Sequence, residues 1–319
     1  MNKNTNWYEV KEVSKSGKGY KMILILLKYF PAIIMRFLVF PIGFFYYLFS
    51  KNARYISKNF LTTVSQYNSA NPNYKLSISP LKHIISFSLN LVENVQSWAG
   101  KFSFNHVIWQ KDDVKDLVQN IETKKGSVLI TSHLGNAQML RALASINEAG
   151  TNNKIKITTI SDTDLTSGFS SLLKEINPDS YLQIINSNNI GPDTIFLLQK
   201  ELDEGGVVVI AGDRISANTD RYIPLNFFGK TANFPYGVFL LIALLNVPTY
   251  FVFGLRQKDF KLNSKYEMYV CKNKIDFDCK RKEREERIIK TAETFKSELE
   301  KHTTNHPYQW YNFFDFWIN

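Results

Sequence analysis

The sequence predicts an α/β domain in which helices flank a mainly parallel central sheet. Short apolar runs rich in β-branched residues recur along the second half of the chain, at 127–133, 154–160, 181–187, 207–213 and 247–255. Helix-like segments lie between them, at 138–148 and 194–204. Buried apolar strands that alternate with helices are typical of βαβ units, in which both faces of a parallel sheet are covered.

Composition excludes several other classes of protein. Of the 319 residues, 44% are hydrophobic and 21% are charged, so the chain can form a core and is not intrinsically disordered. No repeat with a period of about 20 to 50 residues is present, which excludes a solenoid. Cys271 and Cys279 have neither CxxC spacing nor a nearby pair of histidines. The pattern therefore predicts buried or idle thiols in a reducing compartment and no metal or redox site.

The first 60 residues are both basic and apolar. They hold ten Lys or Arg residues against two Glu, in a chain whose net charge is +10. Lys28 and Arg36 interrupt the apolar stretch 23–49 and leave 14 uncharged residues from Phe37 to Ser50. A membrane-spanning helix needs about 20. The stretch therefore does not have the pattern of a transmembrane helix.

This pattern favours one or two amphipathic helices in the interface of an anionic membrane leaflet, bound peripherally or shallowly inserted. A buried core helix with a basic flank is the alternative. Pro31 and Pro41 are expected to kink or end helices there. We therefore divide the chain into a membrane-associating segment, 1–60, and an α/β domain, 61–319.

Helical spacing of apolar residues also appears at 52–64, 81–99 and 279–302, the last with the mixed charges of a solvated amphipathic helix. The tail 308–317 is mostly aromatic and has no basic run beside it. Nucleic-acid stacking combines aromatic side chains with a positive groove, so we expect a packed or lipid-facing tail and no nucleic-acid partner.

Common nucleotide and hydrolase motifs are absent. GKT at 229–231 would need a glycine at position 224 to form a phosphate-binding loop, and that position is Pro224. No GxGxxG follows a strand, and no GxSxG presents a serine nucleophile. The chemistry must therefore be sought in other residues.

A histidine follows one of the predicted strands. His133 ends the run 127–133, and Gly135 and Asn136 form the turn before the predicted helix. Ligands of α/β sheets bind at the carboxyl ends of the strands, and a helix N-terminus disfavours an imidazolium, so His133 is a candidate general base. A structural histidine is the alternative.

Asp213 and Arg214 follow the strand 207–213 in the same way. If the two strands are close neighbours in the sheet, these side chains lie at the same edge as His133. An ion pair that caps the strand is the alternative.

Four segments resemble the lysophospholipid acyltransferase superfamily. They are SHLGNAQMLRAL at 132–143, IGPDTIFLLQKELDEGGVVVIAGDR at 190–214, FFGKTANFPYGVFLLIALLNVPTYFVFGLR at 227–256 and PYQWYNFFDFW at 307–317. Within the superfamily, the chain is most similar to the late lipid A acyltransferases and their relatives in bacterial aryl-polyene and flexirubin pigment clusters.

The resemblance implies a catalytic role for His133. The family signature is a histidine, four residues, then Asp or Glu, and Gln138 occupies the acidic position here. In such enzymes the histidine removes the proton of the acceptor hydroxyl while the carboxylate orients the ring. Gln138 could orient the ring through its amide oxygen but supplies no charge, and Asp213 is a second candidate for the carboxylate.

The resemblance also implies substrate-binding residues. We assign this role to the turn residues Gly135 and Asn136, to Arg214 as a partner of an anionic group, and to the acceptor-site segment represented by Phe228, Gly229, Lys230 and Asn233.

The implied reaction moves an acyl chain from an acyl carrier protein or coenzyme A thioester to a hydroxyl of a lipid A-like, glycolipid or aryl-polyene lipid acceptor. The implied location is the cytoplasmic face of a bacterial inner membrane, and the partners are an acidic carrier protein and anionic lipid. No cofactor is expected beyond the acyl donor. The alternatives are a non-catalytic lipid or acyl-carrier binding protein, favoured by Gln138, and a hydrolase that releases the acyl group to water.

Overall fold

The structure is a computed structural model that describes residues 32–98, 107–140, 156–161, 182–215, 221–261 and 264–318. In these segments seven strands form one sheet: β1 (Val107–Trp109), β2 (Ser127–Thr131), β3 (Ile157–Ser161), β4 (Leu182–Asn186), β5 (Val207–Ala211), β8 (Thr249–Arg256) and β9 (Tyr266–Lys272). The strands β6 (Tyr222–Phe227) and β7 (Lys230–Pro235) form a separate antiparallel hairpin.

The strand order in the sheet is β1-β9-β8-β2-β5-β3-β4. Among these strands β8 and β9 pair antiparallel, and every other neighbouring pair is parallel. Each of the five apolar runs overlaps a strand of this sheet. The prediction of an α/β fold with a mainly parallel sheet and flanking helices is therefore confirmed.

The strand β2 is apolar along its length because both of its faces are buried. Val128 and Ile130 belong to one hydrophobic cluster, whereas Leu129, which points to the opposite face, belongs to another. A strand covered on both faces has a continuous apolar sequence and no polar alternation. This placement puts β2 in the middle of the sheet and its carboxyl end beside the ends of its neighbours.

The described helices are α1 (Ala32–Phe49), α2 (Lys51–Tyr67), α3 (Pro80–Trp98), α4 (Lys111–Glu122), α5 (Pro192–Asp203), α6 (Tyr236–Leu245) and α7 (Arg281–Asn305). They confirm the helical predictions at 52–64, 81–99, 194–204 and 279–302. Of the predicted helix at 138–148, the structure describes only a short 3-10 turn, Ala137–Leu140, and the remainder lies outside the described residues.

Pro41 was expected to kink or end a helix; the helix α1 continues through it, so Pro41 does not end the helix. Proline removes one backbone hydrogen bond, but packing of α1 along α3 supports the helix across it. Gly43 lies so close to Ile85 that a Cβ there would be 3.3 Å from the Ile85 side chain. Pro31 lies outside the described residues.

The end of α1 is held by the next helix. The Arg54 guanidinium of α2 donates hydrogen bonds to the carbonyls of Tyr47 and, at 2.6 Å, Leu48. The helix α2 crosses the predicted domain boundary after residue 60, and residues on both sides of that position are buried. Among the described helices, none is long and apolar enough to cross a membrane.

The aromatic tail packs into the core. After α7, the short turn Pro307–Gln309 leads to Trp310, which is buried. The Trp310 ring centre lies 4.9 Å from that of Phe60, 5.3 Å from Phe227 and 4.7 Å from Phe316. Of the two interpretations of the tail, the structure favours the packed one.

Candidate active site

The register of β2 against β5 brings His133 and Asp213 together. The two strands are parallel, and Thr131 is the register partner of Ala211. His133 and Asp213 each stand two residues beyond that pair. They therefore leave the sheet side by side, at its carboxyl edge, as expected for close-neighbour strands.

His133 and Asp213 form a dyad. The His133 ring Nδ1 lies 2.8 Å from Asp213 Oδ1, and the backbone N–H of His133 donates to Asp213 Oδ2 at 2.9 Å. The Asp213 side chain is fully buried, whereas the His133 side chain is 35% exposed. The carboxylate thus lies behind the ring, and part of the imidazole remains open to an incoming molecule.

The C-terminal segment completes the surroundings of Asp213. The Trp310 indole N–H and the Asn312 amide each donate to Asp213 Oδ2 at 3.3 Å. The backbone N–H of Tyr311, between them, donates to the carbonyl of His133 at 2.9 Å. Residues from three distant parts of the chain therefore fix the position of one carboxylate and the backbone of its histidine.

The charges around the dyad favour an ionised Asp213 beside a neutral His133. Burial raises the pKa of Asp213, but His133 and Arg214 outweigh burial and lower this pKa to about 2. Burial lowers the pKa of His133, Arg214 lowers it further, and Asp213 opposes both without restoring the ordinary value. At neutral pH the imidazole is therefore uncharged.

This protonation state decides which ring nitrogen is basic. An ionised carboxylate can only accept hydrogen bonds, so the proton of the neutral His133 ring resides on Nδ1, which faces Asp213. Nε2 then carries a free lone pair. Within the described residues, no hydrogen bond to Nε2 is formed. The arrangement can accept a proton at Nε2 while Asp213 stabilises the resulting imidazolium.

The turn after His133 approaches β8 very closely. Gly135 has φ +72°, and a Cβ there would lie 2.1 Å from the carbonyl oxygen of Gly254. The backbone N–H of Gly135 donates to Gln309, and that of Asn136 donates to Gly254, each at 2.8 Å. These backbone N–H groups attach the turn to β8 and to the C-terminal segment. A substrate-binding role for Gly135 and Asn136 stays a prediction.

Arg214 extends toward the C-terminal segment. Its Nε donates to the Asn312 side chain at 2.8 Å, and its Nη2 donates to the Tyr311 carbonyl at 3.0 Å. Burial lowers the pKa of Arg214 to about 10 against the opposing effect of Asp213, so the guanidinium is charged at neutral pH. Its positive charge contributes directly to the low pKa of His133. A substrate-binding role for Arg214 stays a prediction.

The tip of the β6–β7 hairpin is formed by Phe228 and Gly229, with φ of 53° and 78°. Positive φ at two successive residues is the geometry of a tight hairpin turn, and glycine adopts it without strain. The Phe228 backbone N–H donates to Glu300 Oε1 of α7 at 2.6 Å. The hairpin contacts the dyad indirectly, through Trp310. Phe227 packs against the Trp310 ring, and the Trp310 indole N–H donates to Asp213.

Lys230 and Asn233 lie on β7. The Lys230 ammonium donates to Thr63 Oγ1 of α2 at 3.1 Å and stands 5.5 Å from the Trp317 ring centre. A cleft of about 470 Å³ opens there, lined by Lys230 and by polar side chains of α2 including Thr63. Asn233 Oδ1 is buried and has no hydrogen-bond partner among the described residues. The roles of both residues in acceptor binding stay predictions.

Gln138 is described only in its backbone, within the 3-10 turn that follows His133. Its side chain lies outside the described part, so its role as an orienter of the ring is untested. The residue seen at the ring Nδ1 is Asp213.

Two site residues escaped the sequence analysis. Trp310 and Asn312 are 97 and 99 positions beyond Asp213, and no spacing rule relates them to it. The available signal was the C-terminal run PYQWYNFFDFW, whose concentration of polar and aromatic residues suggested packing but not a contact with the dyad.

The fold and site define an α/β protein with a His–Asp dyad at the carboxyl edge of its parallel sheet. No protein-family model matches the chain, and no curated protein matches it either.

Proposed function

We propose that this protein transfers an acyl group from a thioester to a hydroxyl, with His133 as the general base and Asp213 as its carboxylate. The observation that carries the proposal is the hydrogen bond between His133 Nδ1 and the buried Asp213 carboxylate, which leaves Nε2 basic on a side chain that is partly exposed. The resemblance to lysophospholipid acyltransferases supports the choice of acyl transfer among reactions that need a general base.

The proposed steps conserve protons and electrons. His133 Nε2 accepts the proton of the acceptor hydroxyl as its oxygen attacks the thioester carbonyl. The tetrahedral intermediate then expels the thiolate, and the carbonyl re-forms as an ester. The thiolate takes the proton from the His133 imidazolium, which restores the neutral ring. Asp213 stays ionised throughout and stabilises the imidazolium of the intermediate state.

The acceptor is proposed to be a lipid-linked hydroxyl, because a strongly apolar helix adjoins the domain. Large apolar side chains of α1 are exposed along its length, among them Phe37, Ile42, Phe45 and Phe49. An exposed apolar patch of this kind marks an interaction surface. A helix with such a patch can insert shallowly into the interface of a membrane. A peripheral position at the cytoplasmic face of a bacterial inner membrane, with a lipid A-like, glycolipid or aryl-polyene lipid acceptor, rests on the resemblance.

The donor is proposed to be an acyl carrier protein or coenzyme A. Carrier proteins are acidic and coenzyme A is anionic, and this chain has a net charge of +10. Lys230 and the polar cleft beside it are proposed to bind the acceptor headgroup, as the resemblance implies for the segment 228–233.

The rival proposal is a binding protein without activity. Its main support is Gln138 at the acidic position of the family signature. The contact of Asp213 with the ring supplies the negative charge that Gln138 lacks, so this substitution no longer argues strongly against catalysis.

The test is transfer of labelled acyl chains from acyl carrier protein into a bacterial membrane lipid extract, with products identified by mass spectrometry. Wild type is expected to form an acylated lipid, and folded His133→Ala is expected to form none. Release of free fatty acid by wild type alone would identify a hydrolase. Vesicle binding without either product would favour the binding protein, and transfer that survives His133→Ala would refute the site.

A further inference from the structure

A cysteine, a glutamate and a histidine converge where α7 packs against β9. Cys271 lies on β9, and Glu298 and His302 lie one helical turn apart on α7. Their donor atoms, a thiol sulfur, a carboxylate oxygen and an imidazole nitrogen, all lie within 4.8 Å of one another. These three ligand types together suit zinc and neighbouring divalent transition metals.

A second, independent observation concerns His302. The residue is 3% exposed, and its ring centre lies 4.8 Å from that of Phe253 and 4.4 Å from that of Tyr269. Its Nε2 atom is buried and has no hydrogen-bond partner among the described residues. Buried polar nitrogens are normally paired, because an unpaired one has lost its hydration without compensation.

Two of the three separations between donor atoms match those of a metal site. Zinc bonds of about 2.0 to 2.3 Å at tetrahedral angles place pairs of donor atoms roughly 3.4 to 3.6 Å apart. Cys271 Sγ lies 3.5 Å from Glu298 Oε2, and His302 Nε2 lies 3.7 Å from the same oxygen. The third pair, Cys271 Sγ and His302 Nε2, lies within 4.8 Å, so one ion is bound once these two atoms approach each other by up to about 1.2 Å.

We propose that Cys271 Sγ, Glu298 Oε2 and His302 Nε2 bind a single divalent transition metal ion, best Zn²⁺, with water at the fourth position. Binding releases the thiol proton of Cys271 to solvent, and His302 binds as the neutral ring with its proton on Nδ1. Lys301, which now lies 3.1 Å from Glu298 Oε2 and is largely exposed, turns outward into solvent.

A bound metal ion would cross-link α7 and β9. It joins the last turns of α7 to β9, and the chain runs from α7 through Pro307–Gln309 directly to Trp310, which contacts Asp213. A metal clip here would stiffen the segment that fixes the carboxylate of the dyad. The proposal does not depend on acyl transfer.

Co²⁺ is the probe, because a thiolate–cobalt bond produces a charge-transfer absorption band in the near ultraviolet. The full-length chain, freed of metal with a chelator, is titrated with Co²⁺ and then with Zn²⁺. We expect one equivalent of Co²⁺ to produce the band and Zn²⁺ to abolish it. Cys271→Ser is expected to lose the band, whereas the matched control Cys279→Ser keeps it.

Two further variants test the same site in case Cys271→Ser does not fold. His302→Gln and Glu298→Gln keep the thiol, and each is expected to weaken Co²⁺ binding on the order of tenfold or more. Zn²⁺ is expected to raise the melting temperature of wild type and Cys279→Ser only. Absence of the band in wild type, its survival in Cys271→Ser or its loss in Cys279→Ser would each overturn the proposal.

Discussion

Asp213 holds His133 at two points, accepting one hydrogen bond from its backbone N–H at 2.9 Å and another from its ring Nδ1 at 2.8 Å. The first bond ties the carboxylate to the end of β2, and the second sets the orientation of the ring. Since the register of β2 against β5 places both residues, the geometry of the dyad is a direct consequence of strand pairing.

Asp213→Asn should lower turnover on the order of 10²- to 10⁴-fold with little change in KM. The asparagine oxygen can keep the three donors that now bind Oδ2, and its NH2 group then faces the ring Nδ1, which can only accept from it. Nε2 would then be protonated and unable to act as a base. Initial rates of acyl transfer measure the effect.

The control for Asp213→Asn is the melting temperature together with vesicle binding, both of which should stay near wild type. Equal turnover of Asp213→Asn and wild type would show that the carboxylate has no part in the reaction.

Arg214→Met should shift the pH profile of kcat/KM toward higher pH. His133 acts as a base only when neutral, so activity is present above its pKa and is lost as the pH falls through it. Burial and Arg214 lower this pKa, which places the acid limb of wild type below about 6.5. Arg214→Met removes the positive charge and therefore one of the two causes that lower the pKa of His133. The acid limb of the profile should move to higher pH.

Arg214→Lys separates charge from contact. Lysine keeps the positive charge but loses the pair of hydrogen bonds that the guanidinium donates to Tyr311 and Asn312. Its acid limb should coincide with that of wild type. A limb that moves equally in both variants would mean that the shift arises from the lost contacts.

Trp310→Phe should reduce kcat by about fivefold and leave KM unchanged. The substitution removes the indole N–H that donates to Asp213 Oδ2 but keeps most of the ring that packs against Phe60 and Phe227. A net hydrogen bond contributes about 1 kcal/mol, which corresponds to that factor. Steady-state kinetics of acyl transfer measure the change.

Trp317→Phe is the matched control for Trp310→Phe. Its indole N–H also makes one hydrogen bond, at 2.8 Å to the Phe227 carbonyl, and none to the dyad. Its kcat should equal that of wild type, and only KM is expected to change, since Trp317 lines the cleft proposed to bind the acceptor headgroup. If both tryptophan variants lose the same activity, the effect comes from packing of the tail and not from the bond to Asp213.

The edge at which the dyad lies could be predicted from sequence, because the carboxyl ends of parallel strands share one edge. His133 and Asp213 each end an apolar run, and this position alone predicts that both lie at the carboxyl edge of the sheet. The partners Trp310 and Asn312 could not be predicted, since their contact depends on how the tail folds back over the sheet. The cluster of Cys271, Glu298 and His302 was missed for the same reason, because it joins a strand to a helix 27 residues away.

Local rules were least reliable where tertiary packing opposes them. Pro41 was expected to kink or end a helix, yet α1 does not end there because α3 packs along it. At Gly135 the requirement for glycine arises from close contact with the Gly254 carbonyl, which lies far away in sequence.

Gly135→Ala should therefore destabilise the protein, by about 2 kcal/mol or more. The left-handed φ at Gly135 disfavours alanine, and a Cβ 2.1 Å from a backbone oxygen forces the turn away from β8. Urea unfolding measures the loss. Gly237→Ala is the control, since a Cβ at that position would meet nothing within 4 Å.

Glutamate at both Phe45 and Phe49 should weaken binding to vesicles that contain anionic lipid by at least about tenfold. Both side chains are exposed on α1, and Phe49 is 82% exposed, so neither substitution opens a cavity in the core. A phenylalanine that enters the apolar part of a leaflet contributes about 1.5 to 3 kcal/mol, and a carboxylate is repelled by the anionic surface. Vesicle co-sedimentation measures the partition.

Phe196→Glu is the control that tests whether a negative charge weakens vesicle binding wherever it lies on the surface, or only when it lies on α1. Phe196 lies on α5 and is 75% exposed, so the same change is made on a comparably open side chain away from α1. Its vesicle binding should fall only by the small factor that one added negative charge produces anywhere on the surface. A loss as large as that of the α1 variant would mean that net charge, and not insertion of α1, holds the protein at the membrane.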